Sequence, residues 1–406
     1  MTLVPQLRVP PTRARLQTLG SPLLARPRTD WVLVLATAAI LVIGTLLVWS
    51  STSANEALTH GHGTAYLRRH LANIAIGLAL AGAVLVTDHR WVRILAPLVY
   101  AGSVVGLVLV LAMGSTINGS QSWLIVGGMS LQPAEFAKLA VVVGMALLAA
   151  ERVEGSRRRR VGTPEVVGML SIAAVPALLI LLQPDLGTML VLSATVFGVL
   201  AVSGAPRRWL VGMLATGVIG ATLVVWLGIL KAYQVNRFMA FTNPELDPRG
   251  AGYNTTQARI AIGNGGLFGQ GLFHGSQTKA GFVPEQHTDF VFTVAGEELG
   301  LVGAGVLIAL FAVLLWRALL VATHAEDLFG RLAAAGIACW FGFQTFQNIG
   351  MCLGIMPVTG VPLPLVSYGG SSMFASLVGI GLLLNIQRRS ASAPSARMPA
   401  ERVLAR

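Results

Sequence analysis

Apolar runs of about 18–25 residues, each long enough to cross ~30 Å of hydrocarbon as a helix, recur along almost the whole chain. They lie near 31–51, 70–87, 91–113, 132–150, 165–182, 186–204, 208–230, 295–316, 331–355 and 364–386. Soluble domains carry about 25% charged residues, whereas here charged residues make up 11% and hydrophobic ones 54%. The pattern therefore predicts an all-α polytopic membrane protein of about ten transmembrane helices. Between the runs near 165–182 and 186–204 there is space only for a tight Gln183-Pro184-Asp185 turn.

The net charge of +12 does not point to nucleic acid, because the arginines fall in short clusters between apolar runs. Cytoplasmic loops of membrane proteins look like this. Basic clusters follow every even-numbered run: Arg90 and Arg93, Arg152 with Arg157–Arg160, Arg207-Arg208, Arg317 with Arg331, and Arg388-Arg389. The exits at 114–131, 183–185 and 356–363 hold neither Lys nor Arg. Both termini are thus expected in the cytoplasm, and the long interval at 231–294, between the seventh and eighth helices, outside. Residues 1–30, rich in Pro and Arg, and 389–406 read as disordered tails around a membrane domain at 31–388. No cleavable signal peptide is evident. Cys339 and Cys352 share one late apolar run and suggest neither a disulfide framework nor a metal site.

The interval from Lys231 to Leu299 is the long polar stretch of the chain and carries Arg237, Asp247, Arg249, Arg259, Lys279, Glu285, His287 and Asp289 among many glycines. Long loops of this kind usually carry function. Ala258–Ile262 and Leu267–Phe273 are too apolar for free hydration, so short amphipathic or re-entrant helices over a cavity are expected.

Several residues have a functional and a structural reading. Asp289, just before the eighth run, is either a first-turn acid at a helix N-terminus or a general base with a raised pKa in a partly apolar cavity. His287 is either a hydrogen-bonding loop residue or a group that orients substrate. Glu297 and Glu298 read as dipole-stabilising acids, with one engaging an internal partner. Glu135 and Lys138 follow Pro133 at a helix start and share one face at i and i+3. They form either a structural ion pair or a site where Lys138 meets a lipid-linked phosphate. Arg69, Arg237 and Arg249 either reach for headgroups or clamp a pyrophosphate, which guanidinium geometry suits. Two motif matches fail on context. Ser276-Gln-Thr-Lys279 fits S-x-x-K, but no S-D-N or K-T-G follows. The run from Gly263 to Gly269 lacks both the G-x-G-x-x-G spacing and a preceding strand.

Taken together, Asn118-Gly-Ser-Gln-Ser-Trp123, Gln132-Pro-Ala-Glu-Phe-Ala-Lys138, Gln183-Pro-Asp-Leu-Gly187, Ala251-Gly-Tyr-Asn254, Pro284-Glu-Gln-His-Thr-Asp-Phe290, Glu297-Glu-Leu-Gly300 and Pro364-Leu-Val-Ser-Tyr-Gly-Gly-Ser-Ser372 resemble the SEDS family of RodA, FtsW and SpoVE. The resemblance covers roughly 31–388, and the first of these stretches with the Gly-rich loop looks closer to RodA. Gln121-Ser122 departs from many members, which have Arg before the tryptophan.

The resemblance implies an inverting peptidoglycan glycosyltransferase of the bacterial cytoplasmic membrane that polymerises lipid II at its outer face during cell elongation and releases undecaprenyl pyrophosphate. It also implies a class B penicillin-binding protein as partner, alongside membrane lipid and other elongation-complex proteins. Asp289 matches the family's essential acid, and Arg69, Trp123, Glu135, Lys138 and Asp185 match positions lining or supporting a central cavity. A divalent cation, Mg²⁺ or Mn²⁺, is a further expectation. The competing classes are a flippase for lipid II or another lipid-linked oligosaccharide, and a scaffold that docks the crosslinking enzyme. A flippase needs polar groups along its whole path, and here they concentrate at the outer end.

Overall fold

The computed structural model describes residues 29–53, 62–117, 120–126, 129–155, 160–228 and 251–392, with only 235, 237, 239, 241–243, 245, 247 and 250 between 229 and 250. Of the expected tails at 1–30 and 389–406, residues 1–28 and 393–406 lie outside the described residues, as do Arg157–Arg159, Lys231 and Arg249. The rest of the two tails belongs to the structure, with Asp30 buried and 389–392 continuing the last helix.

All ten expected spans are helices. They are α1 (Trp31–Ser53), α2 (Ala65–Val86), α3 (His89–Met113), α4 (Pro133–Glu154), α5 (Thr163–Leu182), α6 (Leu186–Ser203) and α7 (Arg207–Trp226), then, after two short helices, α10 (Val291–His324), α11 (Leu328–Leu353) and α12 (Gly370–Ser392). Nine are long and apolar enough to cross a membrane by hydropathy alone. The exception among the ten is α11, whose apolar run is interrupted by Gln344, Gln347 and Asn348. The short ones are α8 (Ala251–Asn264) and α9 (Ser276–Ala280); α8 takes in the expected 258–262, whereas 267–273 lies between the two helices as a loop.

The 114–131 exit adds a small sheet to the all-α expectation. Strands β1 (Ser115–Ile117), β2 (Ser120–Val126) and β3 (Met129–Leu131) pair antiparallel in chain order, with Thr116 opposite Gln121 and Ile125 opposite Ser130. Gln121 holds the sheet to the bundle: its Nε2 donates to the carbonyls of Val110 and Gly114 at 3.2 and 3.1 Å, where α3 ends. A neutral amide can satisfy helix-end carbonyls in this way, so the residue that departs from the family's arginine has a structural task here.

The bundle's centre is α4, flanked by α3, α5, α6 and α11; nearly its whole length from Pro133 to Val153 is buried. α12 packs closely on α2, and α1 on α10. At the other extreme α7 buries none of its residues, as suits a helix solvated by lipid. Ion pairs tie the helix ends remote from the polar interval: Arg93 with Glu154 at 3.1 Å, Arg317 with Asp30 at 2.6 Å, and Arg389 with Asp327 at 3.6 Å.

The Gly-rich loop and α10 interlock. Gly300 breaks α10 with φ +68° and ψ −169°, which frees backbone groups that would be costly at membrane depth. The loop supplies partners for them. Gln270 and Gly271 N–H donate to the carbonyls of Glu297 and Glu298 at 3.0 Å each, and Leu301 and Val302 N–H donate to Gly266 and Leu267 at 2.9 and 3.0 Å. Gly269 and Gly300 meet so closely that a Cβ on either would overlap the other's backbone. The glycines rejected as a nucleotide loop are thus a helix-splicing device.

Candidate active site

Where α4 and α6 begin, and between the loops before α10 and α12, a cavity of about 410 Å³ opens. Its wall includes Trp123 on β2, Asp185 at the start of α6, Arg237, and Glu285 and Asp289 from the loop before α10. Hydroxyls and amides fill much of the rest, among them Ser122, Gln132, Thr359, Ser371 and Ser372.

Asp289 is held at its backbone. Its N–H donates to the Glu285 carbonyl at 3.0 Å, and its carbonyl accepts from Asn348 Nδ2 at 2.7 Å. Its side chain lines the cavity and is partly buried, with protein packed around the rest of it. Burial first, then the negative charge of Glu285, against the opposing pull of Arg237, pushes its pKa up from 3.8 to about 7; Asp185 adds a smaller upward push. A carboxylate poised near neutrality is suited to take a proton from a hydroxyl. It is not a helix cap: Phe290 stands at the N-cap position of α10 with no side-chain bond.

Asp185 is committed to structure as well as to the cavity. Its oxygens accept from Thr188 N–H at 3.0 Å, Thr188 Oγ1 at 2.8 Å and Gln132 Nε2 at 3.1 Å, so it caps α6 and ties it to the start of α4. His287 stands in an aromatic wall, 5.1 Å from the ring of Tyr66 and 5.7 Å from that of Tyr368. Tyr368 N–H donates to its carbonyl at 2.9 Å. Burial lowers the imidazole pKa, with Glu285 opposing. Arg69 is exposed on α2 and bonds the Tyr368 side chain. Neither Arg69 nor His287 lines the cavity.

Glu135 and Lys138 take the ion-pair arrangement. Lys138 Nζ sits 2.7 Å from Glu135 Oε1 and 2.7 Å from Gln344 Oε1, and 5.2 Å from the Trp340 ring. With Lys138 0% exposed and off the cavity wall, its ammonium group has no path to a phosphate in this arrangement. Glu297 is likewise no dipole acid for α10. Its carboxylate accepts from Gln277 N–H at 2.8 Å, Thr278 N–H at 2.9 Å and Thr278 Oγ1 at 2.7 Å, so it anchors α9. Glu298 accepts from Ser50 Oγ at 2.6 Å, the internal partner expected for one of the two.

Comparison with known proteins places this geometry. The family model for the cell cycle proteins FtsW, RodA and SpoVE matches residues 30–392. The chain belongs to that family. It is 38% identical over 357 residues to the peptidoglycan glycosyltransferase MrdB of Escherichia coli strain K12, covering 88% of this chain and 93% of that one. Among solved structures, a chain of a peptidoglycan synthase complex that coordinates polymerization and crosslinking superposes with TM-score 0.72 at 35% identity, over 89% and 98% of the two chains. The rod shape determining protein RodA of Thermus thermophilus gives 0.64 at 33% identity, over 89% and 97%.

In this family member, sequence reasoning passed over Tyr66, Thr359 and Gly360 in the cavity wall and the amides behind it. Thr359 sits in a segment without charge and gave no signal, and Tyr66 stands beside Arg68 and Arg69, whose charges draw the eye instead. The amides did have one: Gln344, Gln347 and Asn348 recur at i, i+3 and i+4 in an otherwise apolar helix, which marks one inward face.

Proposed function

We propose that this chain is a peptidoglycan glycosyltransferase of the RodA type, polymerising lipid II into β-1,4 strands during cell elongation. The single observation that carries the proposal is Asp289, facing the cavity with a pKa raised to about 7 in a chain of this family. Asp289 takes the proton from the C4 hydroxyl of the acceptor N-acetylglucosamine. The freed oxygen attacks the anomeric carbon of the strand's terminal N-acetylmuramic acid, the configuration inverts, and the bond to undecaprenyl pyrophosphate breaks with its electron pair. Arg237, on the cavity wall, offsets the charge on the leaving pyrophosphate; a pyrophosphate leaves with little acid assistance, so one carboxylate suffices. Among the described residues no three His, Cys, Asp or Glu side chains converge to hold a metal. The described residues therefore assign no ligand set to the expected Mg²⁺ or Mn²⁺.

In this reading both termini are cytoplasmic and the cavity opens at the outer face of the bacterial cytoplasmic membrane, following the distribution of Arg and Lys. The partner is a class B penicillin-binding protein, as the likeness to a chain of the synthase complex supports. A flippase would need a polar route beyond the cavity, yet below it α4 presents buried Val141, Val142, Met145 and Ala149.

The test is lipid II polymerisation by the purified chain with a class B partner whose crosslinking serine is inactivated. Wild type makes polymer, and Asp289→Asn loses about 10²–10⁴ in rate. No polymer from either, with lipid II scrambling across liposomes, would replace this reading by the flippase.

A further inference from the structure

Gln344, Gln347 and Asn348 form one buried stripe on α11, each 0% exposed, and all three donate toward one short segment. Gln344 Nε2 donates to the Pro362 carbonyl at 2.8 Å and Gln347 Nε2 to Thr359 Oγ1 at 2.9 Å. Asn348 Nδ2 is shared between the carbonyls of Val361 and Asp289, 2.7 Å from each. Its single amide therefore joins the 359–362 segment to the loop that carries the acid. Buried amides are costly unless paired, so three of them aimed at four acceptors around one carboxylate need a reason. Lys138 and Trp340 set the direction of Gln344: its Oε1 accepts from Lys138 Nζ and from Trp340 Nε1 at 2.7 and 2.6 Å, which turns its NH₂ toward Pro362.

The clamped segment stands directly against Asp289. Gly360 has φ +70°, and a Cβ there would lie 3.2 Å from Asp289 Oδ2, so bare backbone covers that side of the carboxylate. None of the three amides lines the cavity, and none can touch substrate.

We propose that Asn348, supported by Gln347 and Gln344, is a positioning residue that clamps the 359–362 segment onto the Asp289 loop and so holds bare backbone over one side of the carboxyl. The proposal rests on Asp289 acting as the base. The charged and titratable groups around that carboxyl are Glu285 and Arg237, Asp185 at the start of α6, and Cys352 on α11. Releasing the segment uncovers the side of the carboxyl that Gly360 covers, so hydration there increases and the acid's midpoint falls from about 7 toward 3.8.

The experiment uses the full chain in nanodiscs with a class B partner whose crosslinking serine is inactivated, as wild type, Asn348→Ala and Gln347→Ala. Lipid II polymerisation is followed from pH 5 to 9. The Asp289 carboxyl band, identified by its loss in Asp289→Asn, is titrated by infrared difference spectroscopy. For Asn348→Ala we expect kcat to fall about 10–100-fold, the scale of a 1 Å misplacement. KM should stay within about threefold and both the acidic limb and the infrared midpoint should move to lower pH, since a displaced loop acts on the reacting group rather than on substrate affinity. Gln347→Ala, which keeps both Asn348 bonds, should show a smaller shift in the same direction and carries the test if Asn348→Ala does not fold. An unchanged infrared midpoint, or a loss confined to KM, would overturn the clamp. If wild type makes no polymer the base reading fails, while the infrared midpoint still decides whether the amides hold the carboxyl.

Discussion

At the scale of the residue, Asp289 trades stability for reactivity. Its acid form is favoured in the fold, with a pKa near 7 against 3.8 for the ordinary group. The stability that goes with the raised value is fully present below about pH 3.8 and is lost as pH rises through about 7, because the unfolded chain releases the proton first. Replacing Asp289 by Asn removes this penalty. The thermal midpoint of Asp289→Asn in detergent should therefore exceed that of wild type by a margin that grows between pH 4 and 7 and then levels off. A margin independent of pH would mean that the carboxyl is not enclosed. The sequence singled out Asp289 by position and by family motif. The second requirement, backbone packed over one side of the carboxylate, comes from Gly360, some 70 residues further along the chain. No local pattern announces a contact between segments so far apart.

At the scale of the element, the broken α10 shows what periodicity reads well and what it hides. Ten apolar runs gave ten helices, because length and hydropathy decide a membrane span almost unaided. The break at Gly300 and its repair by the 265–271 loop depend on backbone hydrogen bonds between distant segments. The small sheet at 115–131 escaped for a related reason, since its strands are only 3, 7 and 3 residues long. Glu297 joins loop to helix through the two amides and one hydroxyl of α9, and charge-assisted bonds of this kind contribute about 1.5–3 kcal/mol each. Glu297→Ala should raise hydrogen exchange at Gln277 and Thr278 by at least about tenfold, 1.4 kcal/mol being a factor of ten. Exchange in the first half of α4, which does not touch this anchor, should stay unchanged. Uniform loss of protection would show instead that Glu297 supports the whole bundle.

At the scale of the whole molecule, the buried pair of Glu135 and Lys138 sits where α4 meets α11 and where the amide stripe begins, so its two readings separate cleanly in a mutant cycle. Removing one partner leaves an unpaired buried charge and costs about 3–5 kcal/mol, whereas replacing both by apolar residues of similar volume is often close to neutral. Lys138→Met should thus unfold well below wild type, and Glu135→Leu combined with Lys138→Met should recover most of the thermal midpoint. Gln344 keeps one partner in that double variant, Trp340 Nε1 at 2.6 Å, so its bond to Pro362 and the wall beside Asp289 should largely survive. The double variant should then polymerise lipid II faster than Lys138→Met does, when both are assayed as folded protein. If the midpoint recovers and polymerisation does not, Lys138 must reach the substrate in a conformation different from this one, and its charge, rather than its place in the packing, is what the site needs.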